Sequence, residues 1–151
     1  DSHAMVKEDV AYATCKEEVE NILADFRNRD IPVAVINEHL QGDLVKFYGV
    51  HGTDFFYWFY PSPCSHSKFG LEKINGIAKG IPFSVEELKI QSDKAAEALN
   101  VPIYGGDCVV SADGTLRIID FNDWPSFARC REEAGGKIAE CIYNRAKKQM
   151  K

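Results

Sequence analysis

Two aspartates and an asparagine are the residues whose types and spacing could do chemistry. They lie in Ile103 to Phe127, IYGGDCVVSADGTLRIIDFNDWPSF. Asp113-Gly114 separates two β-rich runs, a strong two-residue hairpin signal. With those two residues as the loop, Ala112 pairs with Thr115, and counting back along both strands sets Asp107 directly opposite Asp120. Like charges facing each other destabilise a sheet, so the pairing calls for a compensating cation. Asn122 stands two positions past Asp120 and shares its strand face. Two carboxylates and an amide carbonyl make a hard-oxygen set suited to Mg²⁺, an ion that keeps several waters and shares substrate phosphates. The same spacing also fits a surface hairpin whose acids are simply solvated.

The elements that must position these residues follow from periodicity and capping. Val6 to Ala13 reads as a strand, and Thr14-Cys15-Lys16-Glu17 fits a capping box. The helix after it carries Val19, Ile22, Leu23 and Phe26 on one stripe and should stop near Asp30, since Pro32 follows. Ile31 to Leu40, IPVAVINEHL, reads as a strand, and Gly42-Asp43 breaks it from a second strand, Leu44 to Val50. His51 to Pro63 starts with a turn and continues as the β-prone run FFYWFY. Cys64 to Gly80 is a polar connection with a short helix around Leu71 to Ile77. Ser84-Val85-Glu86-Glu87 is a second capping box, opening a helix through Leu99 with Val85, Leu88, Ala95, Ala96 and Leu99 inward; Asn100 and Pro102 end it. A last helix spans Phe127 to Lys148, with Ala134, Ile138, Cys141, Ile142 and Arg145 near one side. The order strand, helix, three strands, helix, two strands, helix predicts an α+β fold, its mainly antiparallel sheet packed against helices.

GGDCVV, a DG turn and RIIDFNDWPSF together resemble the last hairpin of the ATP-grasp fold. In that family an acid on one strand and an Asp-x-Asn on the next hold the nucleotide's magnesium ions. The resemblance therefore implies ATP and Mg²⁺ as cofactors, with Asp107, Asp120 and Asn122 as metal ligands. It also implies that Ile31 to Val50 is where adenine meets the hinge. The backbone groups of Glu38 and Leu40 would read the purine edge, Asp43 would sit near the ribose hydroxyls, and Lys46 would bind phosphate and assist catalysis. Independently of the resemblance, a lysine inside an otherwise apolar strand calls for a partner, since lysine is almost never buried without one; the alternative is that Lys46 takes the exposed face of an alternating strand. A weaker similarity joins the chain to the inositol phosphate kinase branch, whose Gly-rich loop ends in Ser-His-x-Met. Ser2-His3-Ala4-Met5 matches it, making His3 a catalytic candidate, although Asp1 to Met5 equally resembles a tag remnant. Two positions depart from that branch: Tyr60 replaces an arginine before Pro-Ser, and Ser126 replaces a glycine. Losing a bidentate cation argues against an inositol phosphate substrate.

At 151 residues the chain suits one domain, with 45% hydrophobic and 27% charged residues, as in ordinary globular proteins. A net charge of -5 argues against non-specific nucleic-acid binding. No apolar run is long enough to cross a bilayer, and no signal-peptide pattern opens the sequence, so no membrane partner is expected. Five scattered cysteines without metal-ligand spacing read as reduced, unreactive thiols of a cytoplasmic protein. A complete ATP-grasp enzyme is longer, so the resemblance covers its C-terminal half only. The expected activity is phosphoryl transfer from ATP to a small-molecule acceptor. A carboxylate–amine ligase and a non-catalytic nucleotide-binding module remain open alternatives, because the same hairpin serves all three. An exposed edge strand would permit a homodimer.

Overall fold

Alternating β-branched and aromatic residues build the sheet. The computed structural model describes residues 6–61 and 76–150. In it Asp43–Val50 (β1), Phe56–Phe59 (β2), Ile103–Val110 (β3) and Leu116–Asp123 (β4) form one sheet in the order β2-β1-β3-β4. Every neighbouring pair is antiparallel. The two faces are covered differently. Val45, Phe47, Tyr104, Cys108, Val110 and Leu116 point to one face, where Leu88 and Ala96 of the helix Val85–Leu99 (α2) pack on them. Val50 and Ile103 belong to the other face, with Phe55, Phe127 and two residues of the helix Arg131–Gln149 (α3), Ala134 and Cys141. The expected α+β class with an antiparallel sheet is what the chain adopts.

Capping fixes α2 at both ends. Ser84 Oγ accepts from the Glu87 N–H at 3.1 Å, as the capping box predicts. Asn100 takes the left-handed conformation with φ 54°, and the Val101 N–H returns to the Ala96 carbonyl at 2.8 Å. Ser84→Ala is expected to lower stability by about 1 kcal/mol in chemical denaturation, the usual cost of losing an N-cap oxygen. The buried side of α2 is Leu88, Ser92 and Ala96, whereas Val85 and Leu99 are 37% and 59% exposed. The expected stripe is corrected here: a serine at its centre hid the true inner line. The third helix begins at Arg131 rather than Phe127, because Trp124 and Phe127 turn the chain with φ of 45° and 49°. Of its expected inner residues, Ile142 is half-exposed and Arg145 is exposed.

The described part of a second compact unit spans residues 6–39. Its helix, Lys16–Asn28 (α1), has Val19, Ile22, Leu23 and Phe26 half-buried on the predicted stripe. It ends at Arg29, and Asp30 is left-handed with φ 58°. The capping box is displaced by one residue. Cys15 is the N-cap, and the Thr14 N–H and hydroxyl donate to Glu18 Oε2 at 2.6 and 2.9 Å. Arg29 ties the unit together, donating to Asp9 Oδ1 at 2.7 Å, Asp25 Oδ2 at 2.9 Å and the Glu8 carbonyl at 3.0 Å. Neither expected strand forms here. Residues 6–13 hold only a 3₁₀ turn, Lys7–Asp9, and residues 31–40 are irregular. Val33, Val35 and Ile36 are 73%, 81% and 68% exposed. β-propensity describes how well side chains fit a pleated surface, and without a partner ladder it makes no strand. The Ser2-His3-Ala4-Met5 stretch and most of the expected Leu71 to Ile77 helix lie outside the described residues.

Candidate functional site

The hairpin reaches the expected register by a different route. Gly114 has φ 82°, the Ser111 N–H donates to the Thr115 carbonyl at 2.9 Å, and the Gly114 N–H to the Ser111 carbonyl at 2.8 Å. The loop is therefore Ala112-Asp113-Gly114, one residue longer than the Asp-Gly turn implied. That offset alone would set Asp120 opposite Gly106 and turn its side chain toward α2. A bulge removes it. Cys108 pairs with Ile118, Asp107 pairs with Asp120, and Ile119 is left without a partner, 53% exposed. Ile118 and Phe121 consequently both reach the core under α2, while Asp120 and Asn122 stay exposed on the opposite face.

On that face, one row of side chains crosses all four strands. Lys46 pairs with Phe59 on β2 and with Asp107 on β3, and Asp107 pairs with Asp120 on β4. Lys46 Nζ lies 3.1 Å from each Asp107 carboxylate oxygen, and both side chains are partly exposed. Asn122 Nδ2 donates to Asp120 Oδ2 at 2.6 Å. The cation that two facing acids call for is thus supplied by the chain itself, from the lysine that a phosphate role had singled out. The row also brings in a residue that sequence reasoning missed. The Arg129 guanidinium stands 4.4 Å above the Phe59 ring. No local pattern announces this contact, because it depends on the register of strands distant in sequence.

The remaining candidates fall elsewhere. Asp43 is 3% exposed, and its two carboxylate oxygens accept from the Lys79 and Ile81 N–H groups, each at 2.8 Å. Its carboxylate pins the approach to α2 rather than standing open to a ribose. Gly42 before it has φ 151°, and a Cβ there would lie 2.1 Å from the Val110 carbonyl oxygen. Glu38 and Leu40 sit in irregular chain instead of at a strand end, since 31–40 forms no strand. His3 lies outside the described residues.

Burial pushes the Cys108 thiol up to about 11 and raises those of Cys130 and Cys141, which fits unreactive thiols. Tyr104 donates to Asp93 Oδ1 at 2.8 Å, and Lys89 Nζ meets Asp93 Oδ2 at 2.5 Å. Burial, aided by that aspartate, holds the phenol far above its ordinary range, and it belongs to the α2 face. A cavity of about 540 Å³ lined by His51, Cys141, Arg145 and Lys148 contains none of the row.

The donor set fits a hard divalent ion. Asp120 and Asn122 are exposed and share a face with Asp107, so two carboxylates and an amide, donor types that suit such an ion, stand on one side of the sheet. Among the described residues no cluster of three His, Cys, Asp or Glu is arranged for a metal. Both Asp107 oxygens are engaged by Lys46, so an ion held here shares or takes over that carboxylate. No helix among the described residues is long and apolar enough to cross a membrane. The chain matches no protein-family model, no curated protein and no solved structure.

Proposed function

We propose that this chain is the ATP- and magnesium-binding portion of an ATP-grasp enzyme that transfers a phosphoryl group to a small-molecule acceptor. The observation that carries this reading is the row Lys46–Asp107–Asp120, with Asn122 beside it, on the sheet face away from α2. Bound Mg²⁺ would neutralise phosphate oxygens and the charge developing in transfer. Asp107, Asp120 and Asn122 would hold it. Lys46, released from Asp107, would turn its ammonium to the nucleotide's phosphates. The α2-packed sheet beneath keeps these groups fixed, which suits a reaction that depends on positioning and electrostatics.

Lys46→Met separates this reading from a plain ion pair. Removing a positive charge from Asp107 is expected to tighten binding of bare Mg²⁺ by about tenfold. The same variant should weaken Mg-ATP by about tenfold, since a charge-assisted phosphate contact is gone. Calorimetric titrations of both proteins with MgCl₂ and with Mg-ATP measure the two effects. Opposite directions support the proposal. An Mg²⁺ affinity left unchanged reduces Lys46 to a surface counter-ion, and a wild-type chain that binds no Mg-ATP ends the reading altogether.

A further inference from the structure

Arg129 has a place in the row that magnesium and nucleotide do not account for. It precedes α3, in a stretch folded back over the sheet by the turns at Trp124 and Phe127. That stretch is anchored: Phe127 is 5% exposed, with its ring 5.2 Å from Tyr48 and 6.3 Å from Phe55, and the Cys130 N–H donates to its carbonyl at 2.9 Å. Phe59 meets the Tyr48 ring at 5.6 Å, so the platform under the guanidinium is itself packed. Among the described residues no carboxylate pairs with Arg129; an aromatic face holds it instead. Stacking occupies the flat side of a guanidinium and leaves its N–H edge for an oxyanion.

Position decides which oxyanion. Neighbouring strands stand about 4.8 Å apart, so Phe59 is about 10 Å from Asp107 and about 14 Å from Asp120 along the row. Lys46 stands on the strand next to Asp107, whereas the ring beneath Arg129 lies two strands from Asp107 and three from Asp120. We infer that Arg129 receives the anionic group of the acceptor, a phosphate or carboxylate, while Lys46 and the acids hold the nucleotide's phosphates. The acceptor is therefore an anion that lies over β2. This rests on the Mg-ATP reading above and adds to it the acceptor's chemical class.

Inorganic phosphate and acetate serve as probes, titrated into the chain with and without Mg²⁺ and a non-hydrolysable ATP analogue. Amide and guanidinium shifts in NMR follow binding. The wild type should bind one of the two probes, with the Arg129 Nε–H among the groups that move, and the probe that binds more tightly tells phosphate from carboxylate. Arg129→Gln should weaken that probe by about tenfold, with Arg129→Lys in between, while the affinity for the Mg-nucleotide changes less than about twofold. Arg129 is exposed, so both variants are expected to fold as the wild type does. Probe binding that is absent, or unaltered in Arg129→Gln, overturns the inference and leaves the nucleotide site standing. An equal loss of Mg-nucleotide affinity also overturns it, since Arg129 would then belong to the nucleotide. A wild type that binds no Mg-nucleotide overturns both readings.

Discussion

Asp120→Asn is expected to abolish magnesium-dependent nucleotide binding while leaving the free protein as stable as before, or slightly more so. Asp120 is exposed, and its carboxylate accepts from the Asn122 amide at 2.6 Å, a bond that an asparagine oxygen accepts equally well. No buried group loses a partner. The substitution also removes one of two facing negative charges, of which Lys46 already engages the other. For the ligand the balance reverses. A carboxylate becomes a neutral amide with one acceptor oxygen, which costs a hard divalent ion at least about 100-fold in affinity. Thermal melts of both proteins, with and without Mg-ATP, separate the readings. Loss of the ligand-induced shift at an unchanged apo melting temperature identifies a metal ligand. A lower apo melting temperature with the full shift retained identifies a structural residue, and the proposed site then loses its centre.

That contrast shows what the sequence carried. The turn residues and the facing acids were readable because hairpin chemistry and like-charge repulsion are local rules. The exact loop was not, and neither was the bulge that compensates for it. A trace of the bulge is nevertheless present in the apolar spacing of β4: Leu116 and Ile118 keep step, then Phe121 arrives one position late. Helix α2 was legible at both ends because each cap is local: Ser84 acts with Glu87 at the start, and Asn100 turns the chain back onto the last turn at the end. Residues 31–40 misled for the opposite reason, since strand propensity names a preference for a sheet and says nothing about a partner. Lys46 is a charge in an otherwise apolar strand, which the sequence shows, but its bond to Asp107 depends on the pairing of β1 with β3. Arg129 over Phe59 depends on β2, β1 and the α3 approach together, which no window of sequence contains.

Gly106→Ala is expected to do the converse of Asp120→Asn: it should cost the fold about 3 kcal/mol, and Mg-ATP binding should go with it. Gly106 pairs with Phe47 on one side and Phe121 on the other. A Cβ there would lie 2.2 Å from the Asp120 carbonyl oxygen and 2.7 Å from Phe47 Cζ. The oxygen is backbone, and the ring is wholly buried among Phe56, Tyr104 and Phe121, so neither can swing aside. The carbonyl approaches closely beside the bulge at Ile119, the same bulge that returns Asp120 to face Asp107. Room for a methyl group comes only from pushing β4 away or undoing the bulge, and the second course slips Asp120 toward α2. Gly135→Ala in α3 provides the control. Nothing lies within 4 Å of its added Cβ, so alanine there should stabilise the helix by roughly 0.5–1 kcal/mol. Urea unfolding of the two variants gives the stabilities, and amide exchange along Leu116–Asp123 shows whether β4 has moved. If Gly106→Ala unfolds within about 0.5 kcal/mol of the wild type, a variation usual for surface sites, the glycine is not what holds the two acids in register.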